Sequence, residues 1–175
     1  MQRLYASREC TLKLARPASA AALDQIERKY GFGLPADLRD AFLATNGIPR
    51  EKPFFARPGF LTSYGFLSTT SALKEREGMR KRAPSYRSYV ETTPRSVRIA
   101  SGWYSDGWLP FAEFGGGSLL LILDFAPTAR GSAGQIIAYT HDPDEISYVA
   151  PSFGRFLAMS LKTAQADPEE FLRLF

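Results

Sequence analysis

WLPFAEFGGGSLLLILDFAPTARGSAGQIIAYTHDPDEISYVA, residues 108–150, is the stretch whose reading decides the fold. Its centre, residues 119–124, is a continuous apolar run of strand length, as expected of a central strand buried on both faces. Gly115-Gly116-Gly117 before it is a flexible turn. Residues 108–112 form an extended run in which Pro110 argues for an edge or a strand start. A loop with Pro127 and Gly131 leads to a second apolar run, residues 135–140. Asp142-Pro143-Asp144 turns the chain, and residues 146–150 alternate as a further strand does. Connections this short favour an antiparallel meander over crossover units.

Outward from the strands, both flanks are helical. Ser19 can cap a helix over residues 20–30, with Leu23, Ile26 and Tyr30 in one stripe and Gly31 in the left-handed position that ends it. Pro35 suits the first turn of the next helix, and Leu34 can staple onto Leu38. Leu38, Ala41, Phe42 and Thr45 share its buried face, and Asn46-Gly47 stops it. Residues 48–59, with three prolines, read as a loop; residues 65–68 are a short extended piece, and residues 71–81 a heavily charged helix. Between Pro84 and Pro94 no pattern is assignable. After the strands, Phe153, Phe156, Leu157 and Leu161 recur at helical spacing, and Asp167-Pro168-Glu169-Glu170 opens a last helix. The expectation is an α+β fold: an antiparallel-rich central sheet, a meander over residues 108–150, covered by N- and C-terminal helices. The 175 residues suit one domain, residues 1–175, long enough to bury a core.

Composition narrows the class. With 45% hydrophobic residues the chain is not disordered in bulk. Cys10 is the only cysteine, so no intramolecular disulfide forms, which fits a reducing compartment. The first residues lack the apolar core of a signal peptide, and the longest apolar stretch, residues 119–123, is far short of the roughly 20 residues that cross a bilayer. A cytoplasmic protein with no membrane partner is expected.

The net charge of +4 is local in origin. Residues 74–98 hold eight basic and three acidic residues, a balance of +5, and the remainder is slightly acidic. Arg80, Lys81, Arg82 and Arg87, interleaved with Tyr86 and Tyr89, suit a solvated helix face, an acidic protein surface or single-stranded nucleic acid. No nucleic-acid-binding motif accompanies them, so a nucleic-acid partner is disfavoured. Trp103, Tyr104 and Asp106 flank a turn, where rings either pack inward or carry binding energy in an interface.

Catalytic signatures are sparse. His141 is the only histidine, so a two-histidine metal site or relay is excluded, and its neighbours read as a polar turn. Asp142, Asp144 and Glu145 are the nearest approach to a metal cluster and supply too few ligands. The glycine triplet lacks the Gly-Lys-Ser/Thr ending of a phosphate loop. No metal, no cofactor and no enzymatic activity are expected.

Three segments, in order, resemble the SMI1/KNR4 (SUKH) family. The first is LDQIERKYGFGLPADLRDAFLATNG, residues 23–47, with Ile26-Glu27, Gly33, Leu34-Pro35 and Asn46-Gly47. The second is residues 108–142, with an aromatic before a proline strand, a glycine turn, an apolar strand ending in Asp124, then Gly134-Gln135 and another strand. The third is YVAPSFGRFL, residues 148–157. Together they span residues 19–162, with no nameable pattern over residues 48–107, where families of this kind vary. The resemblance implies a protein-binding module, a bacterial immunity protein that masks a cognate toxin stoichiometrically, and the basic segment suggests a partner with an acidic face. A regulatory scaffold of cell-wall or signalling proteins is the alternative. The residues offered for partner binding are Arg80, Lys81, Arg82, Arg87, Trp103, Tyr104 and Asp106.

Overall fold

A computed structural model describes residues 1–49, 52–60 and 62–173. The order of elements is α1 (Gln2–Ala6), α2 (Ala20–Tyr30), α3 (Ala36–Ala44), β1 (Phe55–Ala56), β2 (Ser63–Phe66) and α4 (Thr69–Arg82). A 3₁₀ turn (Ala83–Tyr86) follows, then β3 (Trp108–Phe114), β4 (Leu119–Asp124), β5 (Gln135–Thr140), β6 (Glu145–Ala150), α5 (Phe153–Ala166) and α6 (Pro168–Arg173). The six strands form one antiparallel sheet in sequence order, a meander throughout.

β4 and β5 occupy the middle, and their side chains alternate between two cores. Leu121, Leu123, Ile136 and Ala138 face one side with Leu23, Leu38, Phe42, Phe153 and Phe156, so α2, α3 and α5 cover it. Leu120, Ile122, Ile137 and Tyr139 face the other, with Met79, Ile99, Trp103 and Trp108. The expected terminal helices therefore cover one face only. The second is covered from the middle of the chain, by α4, the 3₁₀ turn and the segment running into Trp108.

Several boundaries move for local reasons. Pro35 stands at the N-cap of α3 rather than in its first turn, and Thr45 is not on its buried face but leaves the helix in extended conformation. The Thr45 hydroxyl donates to the Gly47 carbonyl at 2.6 Å. The presumed loop over residues 48–59 contains β1, and Arg50 and Glu51 within it lie outside the described residues. β2 begins two residues before the expected extended piece, and α4 begins at Thr69 because the Ser68 hydroxyl accepts from Ser71 N. Pro110 is not on an edge. It sits at a bulge in an interior strand, past the residues where β2 pairs, so its missing N–H breaks no bond to β2.

The sheet curls until its edges approach. Arg57, just past β1, donates from Nη2 to the Ser147 hydroxyl on β6 at 2.8 Å. The short edge strand is itself covered: Ser160 of α5 accepts from Ala56 N at 2.9 Å, and α1, absent from the sequence reading, packs Leu4 beside Ala56, Ala164 and Phe171.

Candidate partner-binding face

The face to consider is the outer layer over the second core. Its foundation is Arg76, a basic residue buried in α4. Arg76 donates to the Trp108 carbonyl at 3.1 Å and to the Asp106 carbonyl at 2.7 Å, and reaches the Asp106 carboxylate at 3.3 Å. Its guanidinium lies 4.3 Å from the Tyr30 ring centroid and 5.4 Å from that of Tyr104. Planar, delocalised and forked, it can satisfy several acceptors while lying against rings, as an ammonium cannot. The turn carrying Tyr104 and Asp106 is thereby fixed to α4.

Above this anchor the sequence-predicted residues divide. Tyr104 donates its hydroxyl to Asp106 at 2.8 Å; burial and that acceptor push the phenol up to about 12. The Asp106 side chain is 92% exposed. Arg80 lies near enough to sense both, yet its guanidinium makes a bidentate pair with Glu77, both bonds at 2.8 Å. Lys81 approaches the same carboxylate at 3.8 Å. Arg82 turns the other way, with its guanidinium 6.0 Å from the Tyr139 ring. The basic triplet is thus split, two members shared with one glutamate and one on another side. Arg87 is exposed beyond the 3₁₀ turn.

Trp103 points inward and is only 8% exposed. It stacks on Tyr86 with centroids 4.4 Å apart and meets Tyr89 and Tyr139 edge-on, and Arg95 covers it at 5.3 Å. Each such ring pair adds about 0.5–1.5 kcal/mol beyond burial. This cluster attaches the patternless middle segment to the sheet.

Its polar rim is a hub at Asp144. Oδ1 of that residue accepts from Tyr86 at 2.8 Å and Tyr139 at 3.0 Å, and lies 2.8 Å from His141 Nδ1. Burial works to raise this carboxyl, but the bonds from His141, Tyr86 and Tyr139 outweigh it and hold it below the ordinary range. Tyr89 donates to the Asp144 carbonyl at 3.1 Å. The lone histidine is therefore part of a structural network at the β5–β6 turn. Among the described residues, no group of three or more His, Cys, Asp or Glu side chains is placed to hold a metal ion. No helix among them is long and apolar enough to cross a membrane.

Sequence reasoning missed two parts of this face. Arg76 is one, although its spacing from Ala72 and Met79 puts it on the buried stripe of α4. The other is a groove of about 510 Å³ between residues 91–101 and the β4–β5 loop, with Val97, Thr128, Ala129 and Arg130 in its walls. Its walls are joined by non-local bonds: Thr128 donates its hydroxyl to the Val97 carbonyl at 2.6 Å, and Gln135 donates to the Arg98 carbonyl at 3.0 Å.

The SMI1 / KNR4 family model (SUKH-1) matches residues 17–159. The chain is 28% identical over 165 residues to the cell wall biosynthesis/cell cycle regulator smi1 of Schizosaccharomyces pombe, an alignment covering 86% of this chain and 32% of that protein. It is 26% identical over 195 residues to the KNR4/SMI1 homolog of Yarrowia lipolytica, covering 84% and 27%. The chain spans about a third or less of the length of these curated relatives.

Proposed function

This chain belongs to the SMI1/KNR4 family, and on that premise we propose that it is a protein-binding module that works by covering a partner's surface, without turnover and without a cofactor. The observation that carries this reading is the Arg76 anchor, which holds Tyr104 and the exposed Asp106 in place beside the basic last turn of α4. A surface ordered before binding loses less entropy when it binds. The partner is a cognate toxin, which the chain neutralises stoichiometrically in the cytoplasm.

A second reading has its own support. The S. pombe relative is a cell wall biosynthesis and cell cycle regulator, and this chain matches about a third of it. A regulatory module that gathers cell-wall or signalling proteins is consistent with that.

One experiment separates the two. The tagged chain captures partners from its native lysate at moderate salt, and each partner is then expressed alone and together with the chain. One dominant partner at about equal stoichiometry, toxic alone and harmless with the chain, establishes neutralisation. Several non-toxic housekeeping proteins establish the regulatory reading instead.

A further inference from the structure

Charge on the outer face is not distributed as the sequence suggests. Glu77 holds Arg80 and Lys81, Glu91 holds Arg95, and Asp106 holds Arg76. Among the described residues of this face, Lys74, Arg82, Arg87, Arg98 and Arg130 make no ion pair with a carboxylate. Arg130 lies in the wall of the groove, and Arg98 adjoins Val97 with its guanidinium 4.9 Å from the Tyr148 ring. Among the described residues, the two most exposed large hydrophobic side chains, Val90 at 82% and Val97 at 60%, belong to this same segment. Val97 and the buried Ile99 both line the groove. Unpaired positive charge and exposed apolar surface therefore meet at the groove, where Arg130 and Val97 line the wall and Arg98 adjoins it, whereas the unpaired Arg82 of α4 is turned toward the Tyr139 ring.

We infer that this groove is the docking site for a short acidic and aliphatic segment of a protein partner, with Val97 and Ala129 against its apolar side chain and Arg98 and Arg130 on its carboxylates. Arginine suits that role because its planar fork takes a carboxylate bidentately and desolvates at lower cost than lysine. A single nucleic-acid strand fits less well. Such strands bind by stacking bases on exposed rings, whereas the rings here, Trp103, Tyr86 and Tyr89, are packed against one another. The inference adds a peptide-binding contact to the protein-binding reading above, which placed Tyr104 and Asp106 on the surface, and rests on that reading.

The test uses the full chain and a random-peptide display library. The selected peptides are expected to carry Asp or Glu flanking Leu, Ile or Val. Val97→Lys, or the pair Arg98→Glu with Arg130→Glu, is expected to weaken them by about tenfold or more. Arg155→Glu with Lys162→Glu, exposed on α5 across the sheet, is the charge control and leaves them within about twofold. Unchanged thermal unfolding shows that each variant is folded. Overturning results are an empty selection, peptides without acidic residues, or peptides lost on Arg80→Glu with Lys81→Glu, the competing face on α4, but not on the groove variants. Oligo(dT) that competes with the peptides and binds with steep salt dependence also overturns it, in favour of nucleic acid. The outcomes are separable from those above: a toxin neutralised equally well by the groove variants defeats this inference alone, whereas groove peptides without any neutralised toxin defeat only the toxin reading.

Discussion

Gln135 donates from Nε2 to the Asp124 carboxylate at 2.9 Å, from the position directly opposite it in the β4–β5 ladder. The same amide group donates to the Arg98 carbonyl at 3.0 Å, and Asp124 also accepts from Ala126 N at 3.0 Å. Burial raises the Asp124 carboxyl, and these donors only partly offset it. The pair thus joins the two central strands to the segment that walls the groove.

Gln135→Leu is expected to cost about 1–3 kcal/mol, because it leaves a buried acceptor without its donor. The sign with pH follows. A carboxyl raised on folding contributes stability that is full below its unfolded value, about 3.9, and declines as pH rises through the folded value. Removing Gln135 raises the folded value further, so the deficit grows from about pH 4 upward. Urea unfolding at pH 3.5 and pH 7 measures it; an equal deficit at both contradicts this account.

The β4 and β5 strands are readable in the sequence because their side chains are apolar on both faces, and the ladder matches the expected bounds residue for residue. Ser19 and Gly31 are readable for the same reason, since a cap is a local bond. β1 is not, because two residues carry no period, and Ala56 is extended by its pairing with Ser63 and its bond to Ser160. The weakening of the basic triplet was written at i, i+3 and i, i+4 from Glu77. The groove was not written locally at all, since Val97 and Thr128 meet only through tertiary structure.

Gly47 illustrates a motif whose local reading is incomplete. Asn46-Gly47 reads as a helix stop, yet Asn46 Oδ1 accepts from Thr69 N at 2.8 Å, which seats the start of α4. Gly47 has φ +81°, and a Cβ there would come within 2.5 Å of Ser68 N. Gly47→Ala therefore meets both a left-handed backbone and a backbone clash, and is expected to cost about 2–4 kcal/mol. Gly33→Ala, where nothing lies within 4 Å, is the control and should unfold close to the parent chain. Comparable losses in thermal unfolding for the two would contradict the packing argument.

Arg76→Met keeps much of the side-chain volume and removes every donor. The carbonyls of Asp106 and Trp108 then lose their partners, at a cost of about 3 kcal/mol. The sharper readout is local: amide exchange of residues 104–107 should accelerate more than that of β4. Arg76→Lys, which restores charge but not the fork, should fall between. If exchange accelerates uniformly, Arg76 stabilises the fold without specifically holding this turn.

Asp144 tests the other attachment of the segment. Its carboxyl is depressed, so the sign is opposite to that of Asp124: its contribution is present above the unfolded value of about 3.9 and is lost as pH falls through the folded value. Asp144→Asn retains one oxygen but not the charge that draws bonds from Tyr86, Tyr139 and His141. The stability gap between parent and variant should be widest near neutral pH and close below about pH 4. Because Trp103 stacks on Tyr86, loosening the hub should also shift the indole emission of the folded variant toward that of a more solvated ring. A gap that persists unchanged to pH 3 would mean that Asp144 acts by shape, and that its charge does not hold the segment to the sheet.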